Sequence, residues 1–501
     1  MTELPLLARA KTFADRIAID DPVSPCRYGD LLEDSARIAA ALLDGATDLE
    51  ERRVALLASP GADYVAGQWA VWRAGGIKLP LCLSATKPEW EYALTDSRAD
   101  TVLADADAAD RIAPLCTRLG LRLVRTDAAP QTRPGGGARS LPEIPEDRRA
   151  MILYTSGTTS RPKGVVTTHA NIRAQIESLV EAWAWSGEDR IPLFLPLHHI
   201  HGIINVVCCA LWSGARLETF PRFEMAGVLG RVRERAYTLF MAVPTIYVKM
   251  IEALEAAPPE QREPVVAGIA SMRLMVSGSA ALPASVHARW AGLTGQVLLE
   301  RYGMTEIGMA LSNPLDGERR PGSVGLPLPG MEVRLRSEEG ETVAGEDEPG
   351  EIQVRGPGVF AAYWDRPEAT VDSFEGEWFR TGDLAVRERG YYRIMGRLSV
   401  DIIKSGGYNL SALEIESVLL EHPAIAECAV VGLPDDTWGE AVAAACVATP
   451  GSGLELEALR EWCRGRLSPY KIPRRLRVVA ELPRNAMGKV TKPAVPSLFD
   501  E

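Results

Sequence analysis

The sequence predicts an α/β fold: a large N-terminal domain of parallel-rich sheets with a β-rich subdomain, and a small α+β C-terminal domain. Three observations predict it. The 501 residues exceed what one compact core serves, so two or more domains are expected. Short β-rich runs at 54–57 and 101–104 alternate with helical stretches, the rhythm of βαβ units and hence of largely parallel sheet. From Met331 the texture changes: MEVRLRS, GEIQVRG and YYRIMGR alternate in polarity between glycine-containing turns, the pattern of antiparallel strands.

Along the chain, residues 29–46 carry apolar positions at helical spacing and read as an amphipathic helix. Residues 127–149, rich in proline, glycine and charge, read as a surface connection ahead of a strand at 150–154. Strand–helix alternation continues to about residue 315. After Gly396 the chain has strands of its own at 426–432, 442–449 and 475–479 and a helix near 454–466, enough for a separate small domain. The expected division is 1–396 and 397–501, the two parts meeting near residues 396–401.

Composition narrows the function classes. The hydrophobic fraction of 46% and charged fraction of 24% are those of an ordinary soluble globular protein. A net charge of −12 argues against nucleic-acid or membrane-surface partners, which need a basic face. No apolar run approaches the ~18 residues of a membrane span, and the first residues lack the basic-then-apolar pattern of a signal peptide. The eight cysteines form no CxxC pair, and Cys208 and Cys209 lie in an apolar run as buried thiols. A cytoplasmic location is expected, with the oligomeric state open between monomer and homodimer.

The strongest chemical signal is YTSGTTSRPKG, Tyr154 to Gly164. A strand runs into a loop whose Thr155, Ser156, Gly157, Thr158 and Thr159 offer hydroxyls and backbone N–H groups, with the Lys163 ammonium at its end. That set suits phosphate oxygens, although the loop lacks the GK[ST] ending of a Walker A motif. Downstream, the YGMTE string (Tyr302, Gly303, Met304, Thr305, Glu306) pairs an aromatic face suited to a purine with a carboxylate suited to a hard cation. TGD puts Asp383 after a turn, able to accept hydrogen bonds from both hydroxyls of a ribose.

In this order the motifs resemble those of the adenylate-forming superfamily, which includes acyl-CoA synthetases, peptide-synthetase adenylation domains and luciferases. Family members usually have glycine where this chain has Ser160. The resemblance implies ATP, Mg²⁺ and CoA as cofactors. It implies that Ser277, Gly278, Ser279 and Ala280 lie along the adenine, and that Glu300 and Arg301 adjoin the nucleotide motif. It also implies that Tyr302 stacks on the adenine, that Thr305 contacts the α-phosphate and that Glu306 holds Mg²⁺. Arg397 in GRLSVDIIKSGGYN resembles the arginine that contacts the adenylate beside the hinge. One extra residue separates Arg397 from Gly406 and Gly407, leaving Ser399, Val400 or Asp401 as the hinge, with Asp401 favoured by its charge. Lys489 matches the lysine that enters the active site for adenylation and is withdrawn for thioester formation, which implies a mobile C-terminal domain. Gly406, Gly407 and Tyr408 would line a pantetheine tunnel. Lys471, Arg474 and Arg475 are candidates for the CoA phosphates, or else form a solvated basic face.

The acyl pocket of the superfamily falls on three segments here: LPLHHIHG with His199, Ile200 and His201; Ser277–Gly278; and the residues flanking YGMTE, Arg301 and Met309. Fatty-acyl and aryl relatives generally place an apolar or small residue where this chain has Arg301. A guanidinium there needs an anion. Either it pairs internally, with Glu300 or Glu318, or it meets a second carboxylate on the substrate. The string ERYGMTE with SNPLDGERRPGSVG, and SGGYNLSALEIE, resemble malonyl-CoA synthetases. The expected substrate is therefore a short dicarboxylic acid, malonate or methylmalonate. Other readings are a short- or medium-chain fatty or aryl acyl-CoA synthetase, a stand-alone adenylation enzyme charging a carrier protein, and a non-catalytic nucleotide sensor. No aspartate stands near LPLHHIHG to meet an amino-acid ammonium, and retention of Glu306, Asp383 and Lys489 together argues against lost catalysis.

Overall fold

The computed structural model describes residues 3–20, 25–127, 141–155, 162–398, 400–405, 408–435, 437–484 and 490–500. Ser156, Gly157, Thr158, Thr159, Gly406, Gly407 and Lys489 lie outside the described residues, as does most of the 127–149 connection. Among the described residues no helix is long and apolar enough to cross a membrane.

A seven-stranded sheet organises the first part of the chain. Its centre runs Arg149–Thr155, Ile77–Pro80, Arg53–Leu57, Thr101–Ala104 and Arg122–Arg125, all parallel. The strand Lys163–Thr168 pairs antiparallel with Arg149–Thr155, so the described ends of the phosphate-loop candidate, Thr155 and Lys163, lie side by side, and Ala362–Tyr363 adds the edge strand. Helices between the parallel strands form where apolar positions recur at helical spacing. In Tyr28–Leu43 the buried face is Leu31, Ile38, Ala39 and Leu42, and Asp30 accepts from the Arg27 backbone N–H at 2.8 Å to cap its start.

A second, five-stranded sheet carries the other motifs. Leu239–Ala242, Leu274–Ser277 and Leu299–Met304 are parallel; Gly308–Ser312 then returns antiparallel to Leu299–Met304. YGMTE thus leads from a strand into a tight hairpin. The strand–helix alternation expected to about residue 315 therefore ends earlier, at Leu299–Met304. The reason is local: Gly308 at φ 63° and Gly303, whose Cβ position lies 2.1 Å from the Gly308 carbonyl, let the chain fold straight back. Residues 331–397 form the expected antiparallel sheet: Glu332–Arg336 pairs Gly350–Arg355, which pairs Trp378–Glu388, which pairs Tyr391–Arg397.

The last part has its own five-stranded sheet, with Ile425–Asp435 antiparallel to Gly439–Ala448 and Arg475–Val479 parallel to it. Among the described residues, two buried hydrophobic clusters draw on residues 4–392 and two on residues 403–495, and none on both. Packing therefore changes hands near residue 400.

Candidate active site

Successive side chains of a strand point to opposite faces, and this splits the site. From the strand Leu299–Met304, Tyr302 points toward the antiparallel sheet and Arg301 toward the end of the strand Leu274–Ser277.

On the Tyr302 side, the Tyr302 hydroxyl donates to Asp383 Oδ2 at 2.6 Å, and Arg397 Nε donates to Asp383 Oδ1 at 2.9 Å. Asp383 and Arg397 face each other across the pair of strands Trp378–Glu388 and Tyr391–Arg397. Both Asp383 oxygens are thus engaged, and ribose hydroxyls would have to share or displace these donors. Burial first, then the Asp383 charge, push the Tyr302 phenol far above its ordinary value, so it stays a donor.

Glu306 sits in the turn beyond. Its Oε1 accepts from the Tyr363 hydroxyl at 3.0 Å, and the Lys163 ammonium lies 5.0 Å from the centre of the same Tyr363 ring. Thr155 Oγ1 donates to the Lys163 carbonyl at 3.5 Å between the paired strands Arg149–Thr155 and Lys163–Thr168, and Thr305 is half-buried beside Glu306. Burial raises the Glu306 pKa, outweighing Tyr363, Arg397 and Lys163. A buried carboxylate that accepts from the Tyr363 hydroxyl and feels the Arg397 and Lys163 charges fits a hard divalent ion that takes its other ligands from phosphate and water. Because a proton competes for that carboxylate, KM for MgATP should rise as pH falls, beginning above the ordinary glutamate value of 4.5. A KM profile between pH 5 and 8 checks this, and Glu306→Gln should flatten its slope. A wild-type profile flat to pH 5 would refute it.

On the other side, the Arg301 guanidinium lies flat on Gly278. A Cβ at residue 278 would come within 2.5 Å of Arg301 Cζ and Nε, so only glycine allows this approach. Arg301 is 4% exposed, and its side-chain contact is a 3.4 Å hydrogen bond from Nη2 to Ser279 Oγ. Neither internal acid takes it up: Glu318 pairs with Arg320 at 2.8 Å, and Glu300 Oε1 accepts from the Leu282 backbone N–H at 3.1 Å. Burial alone lowers the Arg301 pKa to about 10. Burial likewise raises Glu300 to about 8; this residue braces the 278–282 segment rather than pairing with its neighbour.

Ser279 also shares a 3.1 Å hydrogen bond with His201 Nδ1, and it adopts φ 69°, the left-handed region that non-glycine residues rarely enter. His201 opens a π-helix, His201–Cys208, a wide turn that recurs at functional sites. Burial, then Arg301 and His199, drive the His201 pKa well down, so the imidazole is neutral. Among the described residues, Arg301 Nε, His201 Nε2 and Ser277 Oγ are buried without a hydrogen-bond partner. Three unmet polar atoms on adjoining segments mark the place of a polar ligand. Ile200 and Met309 are buried at 8% and 3% exposure, and the His199 ring lies 4.1 Å from that of His198. Ala280 is exposed.

The CoA candidates do not gather. Lys471 is ion-paired to Glu414 at 2.5 Å, Arg474 stacks 3.9 Å over the Trp438 ring, and Arg475 begins an exposed strand edge. Lys471 and Arg474 are thus engaged within their own domain instead of forming a solvated basic face. Of Tyr408, only the backbone is described, in the strand Tyr408–Ser411. Asp401 lies beside Arg397: its Oδ2 accepts from the Arg397 backbone N–H at 3.0 Å, and its Oδ1 accepts from Lys492 Nζ at 2.6 Å. Sequence reasoning missed Tyr363 and Lys492. Tyr363 stands 57 residues from Glu306 and in no recognisable string; Lys492 ends the LPRNAMGKVTK string that holds Lys489, but its partner Asp401 stands 91 residues away.

Comparison with known proteins agrees with this geometry. The sequence matches the family "AMP-binding enzyme" over residues 6–364 and "AMP-binding enzyme C-terminal domain" over residues 414–489. It is 45% identical to the mitochondrial malonate–CoA ligase of Bos taurus, over 97% of this chain and 89% of that protein. It is 44% identical to the corresponding enzyme of Mus musculus, over 98% and 89%. The fold superposes on ATP-bound MatB from Rhodopseudomonas palustris with a TM-score of 0.88 at 33% identity, covering 100% of this chain and 99% of that one. The ordered motifs, the split site on the strand Leu299–Met304 and these full-length matches lead to one conclusion: the chain belongs to the AMP-binding enzyme family.

Proposed function

We propose that this protein is an ATP-dependent, AMP-forming acid–thiol ligase that joins malonate, or methylmalonate, to CoA through an acyl-adenylate. The observation that carries the choice of acid is the buried Arg301 guanidinium, which has no carboxylate partner among the described residues and lies against Gly278 and Ser279. The names of the Bos taurus and Mus musculus relatives, both malonate–CoA ligases, support the same acid.

A carboxylate is a poor acyl donor, because its leaving group would be oxide. Attack of its oxygen on the α-phosphorus of ATP makes a mixed anhydride and expels pyrophosphate. Asp383 and Arg397 hold the ribose, Tyr302 takes the adenine face, and Lys163 with the residue 156–161 loop takes the outgoing phosphates. Glu306 anchors Mg²⁺, which when bound neutralises phosphate charge. Arg301 takes the distal carboxylate, and the neutral His201 donates to it. Lys489 bridges the reacting carboxylate and the α-phosphate. In the second step the CoA sulfur attacks the acyl carbonyl, a thioester bond forms and AMP leaves. Lys489 must vacate the site first, hence a C-terminal domain that turns about Asp401.

We draw the domain division at 1–396 and 397–501, supported by the separate hydrophobic clusters on either side of residue 400. The eight uncrosslinked cysteines support a reducing compartment, and we place the protein in the cytoplasm.

Pyrophosphate release measured with acetate, malonate, methylmalonate, succinate and hexanoate tests the reading. Malonate or methylmalonate should exceed acetate and hexanoate by at least about 100-fold in kcat/KM, since a site built for a charged group strongly rejects acids that lack it. Hexanoate matching malonate would establish the fatty-acyl reading instead. The two diacids differ by one methyl group, worth about 1–3 kcal/mol, so both are expected to react.

A further inference from the structure

The hinge candidate Asp401 belongs to a cluster that the two-step chemistry above does not use. Lys492 Nζ lies 2.6 Å from Asp401 Oδ1 and 2.7 Å from Glu416 Oε1, and all three side chains are 13–14% exposed. Glu416 is fixed in turn by the Val430 backbone N–H, which donates to Oε1 at 2.7 Å. Burial disfavours the Lys492 ammonium, but Glu416 and Asp401 outweigh it and hold its pKa above the ordinary lysine value.

Two placements make this cluster more than a local ion pair. Lys492 stands just past the bridge between Arg484 and Val490, which brackets the 485–489 segment at its two ends. It therefore fixes the C-terminal root of the stretch that contains Lys489. Asp401, for its part, reaches both ways. Its Oδ2 accepts from the Arg397 N–H at 3.0 Å, its own N–H donates to the Arg397 carbonyl at 2.7 Å, and its carbonyl accepts from Ala412 N at 2.8 Å. Gly396 permits this closeness: at φ 136°, a Cβ there would sit 2.4 Å from Asp401 Cβ. The contacts then continue without a gap. Arg397 Nε donates to Asp383 Oδ1 at 2.9 Å, and Asp383 Oδ2 accepts from Tyr302 at 2.6 Å.

We propose that Lys492 is a positioning residue for adenylation: through Asp401 and Arg397 it ties the root of the Lys489 segment to the nucleotide-binding pair Asp383–Tyr302. The inference rests on the two-step reading above and deepens it. While the chain of contacts is made, the root of the Lys489 segment and the nucleotide residues are held in one frame. Because Asp401 binds Arg397 on one side of the hinge and Lys492 on the other, rotation about the hinge strains or breaks one of those links, and the thioester step does not require both.

The test uses full-length enzyme and both half-reactions. Malonate-dependent ATP–pyrophosphate exchange reports adenylation, and CoA thioester formation from supplied malonyl-adenylate reports the second step. Lys492→Met should lower exchange about tenfold, within the range expected for coupling through a contiguous network, with KM for ATP raised. Thioester formation should stay within about threefold, and Lys492→Arg should recover most of the exchange. Parallel loss of both half-reactions, or no change in either, overturns the proposal. Should Lys492→Met fold poorly with two buried carboxylates uncompensated, Lys492→Met/Glu416→Gln removes one of them and is read by the same ratio. Absence of malonate-dependent exchange in the wild-type enzyme would sink the malonate ligase reading itself. Wild-type exchange with an unshifted ratio in the variants sinks only the role of Lys492.

Discussion

Replacing Arg301 with methionine is expected to lower kcat/KM for malonate by about 10²–10³-fold, the effect of removing one partner of a buried, hydrogen-bonded charge pair. The same change should raise the melting temperature of the ligand-free protein. The sign follows from the ionisation. Arg301 is a base whose folded pKa, about 10, lies below its ordinary value of 12.5. A depressed base means the charged form is disfavoured in the folded state. That penalty is fully present below about pH 10 and fades as pH rises toward 12.5. At pH 7 methionine escapes it entirely. The gain has a ceiling of about 3 kcal/mol, from which the lost packing on Gly278 and the Ser279 hydrogen bond subtract. Arg301→Lys keeps the charge but loses the planar fork that matches a carboxylate, and should rescue only part of the activity. Steady-state kinetics on malonate and butyrate, with thermal melts with and without malonate, check the set. Malonate turnover within a few-fold of wild type in Arg301→Met would refute the dicarboxylate site. Stability gained where activity is lost is the usual signature of a group kept for its ligand.

Lys489→Ala is expected to cut ATP–pyrophosphate exchange by about 10²–10³-fold, the usual loss when one preorganised donor to a developing charge is removed. Thioester formation from supplied malonyl-adenylate should change only several-fold. The physical reason is that adenylation alone brings two anions, the carboxylate and the α-phosphate, into contact. Attack of a thiol on an acyl-adenylate has no such pair to bridge. The loss should lie mainly in kcat, whereas Lys492→Met is expected to act on KM for ATP as well, so the two lysines separate kinetically. Equal losses in both half-reactions for Lys489→Ala would refute its assigned role.

Much of the nucleotide end proposed for the site was legible because its residues fall in consecutive strings. The Tyr154–Gly164 loop and YGMTE are contiguous strings whose residue types already state a chemistry, and they could be placed from their order. The helix expected at 29–46 occurs as Tyr28–Leu43, and the strand expected at 475–479 as Arg475–Val479, because spacing and β-branched content are local properties. The return of Gly308–Ser312 against Leu299–Met304 was missed because a short glycine-bearing link can precede a parallel or an antiparallel partner, and only the packed sheet distinguishes them.

The acid end shows the division most clearly. The sequence by itself determined that an arginine stands where an apolar residue was expected, and that an anion must meet it or an internal acid must. Which of the two holds was decided by the tertiary structure. Glu318 is taken by Arg320, Glu300 faces the Leu282 backbone, and Ser279 is held in a left-handed conformation between His201 and Arg301. The same holds for Glu306 with Tyr363 and for Asp401 with Lys492. Residue types and local spacing are written in the chain, but partnership between residues tens of positions apart is settled by competition among all the groups that packing brings within reach. That competition left Arg301 buried and without a carboxylate among the described residues, which is the physical ground for assigning it the substrate's second carboxylate.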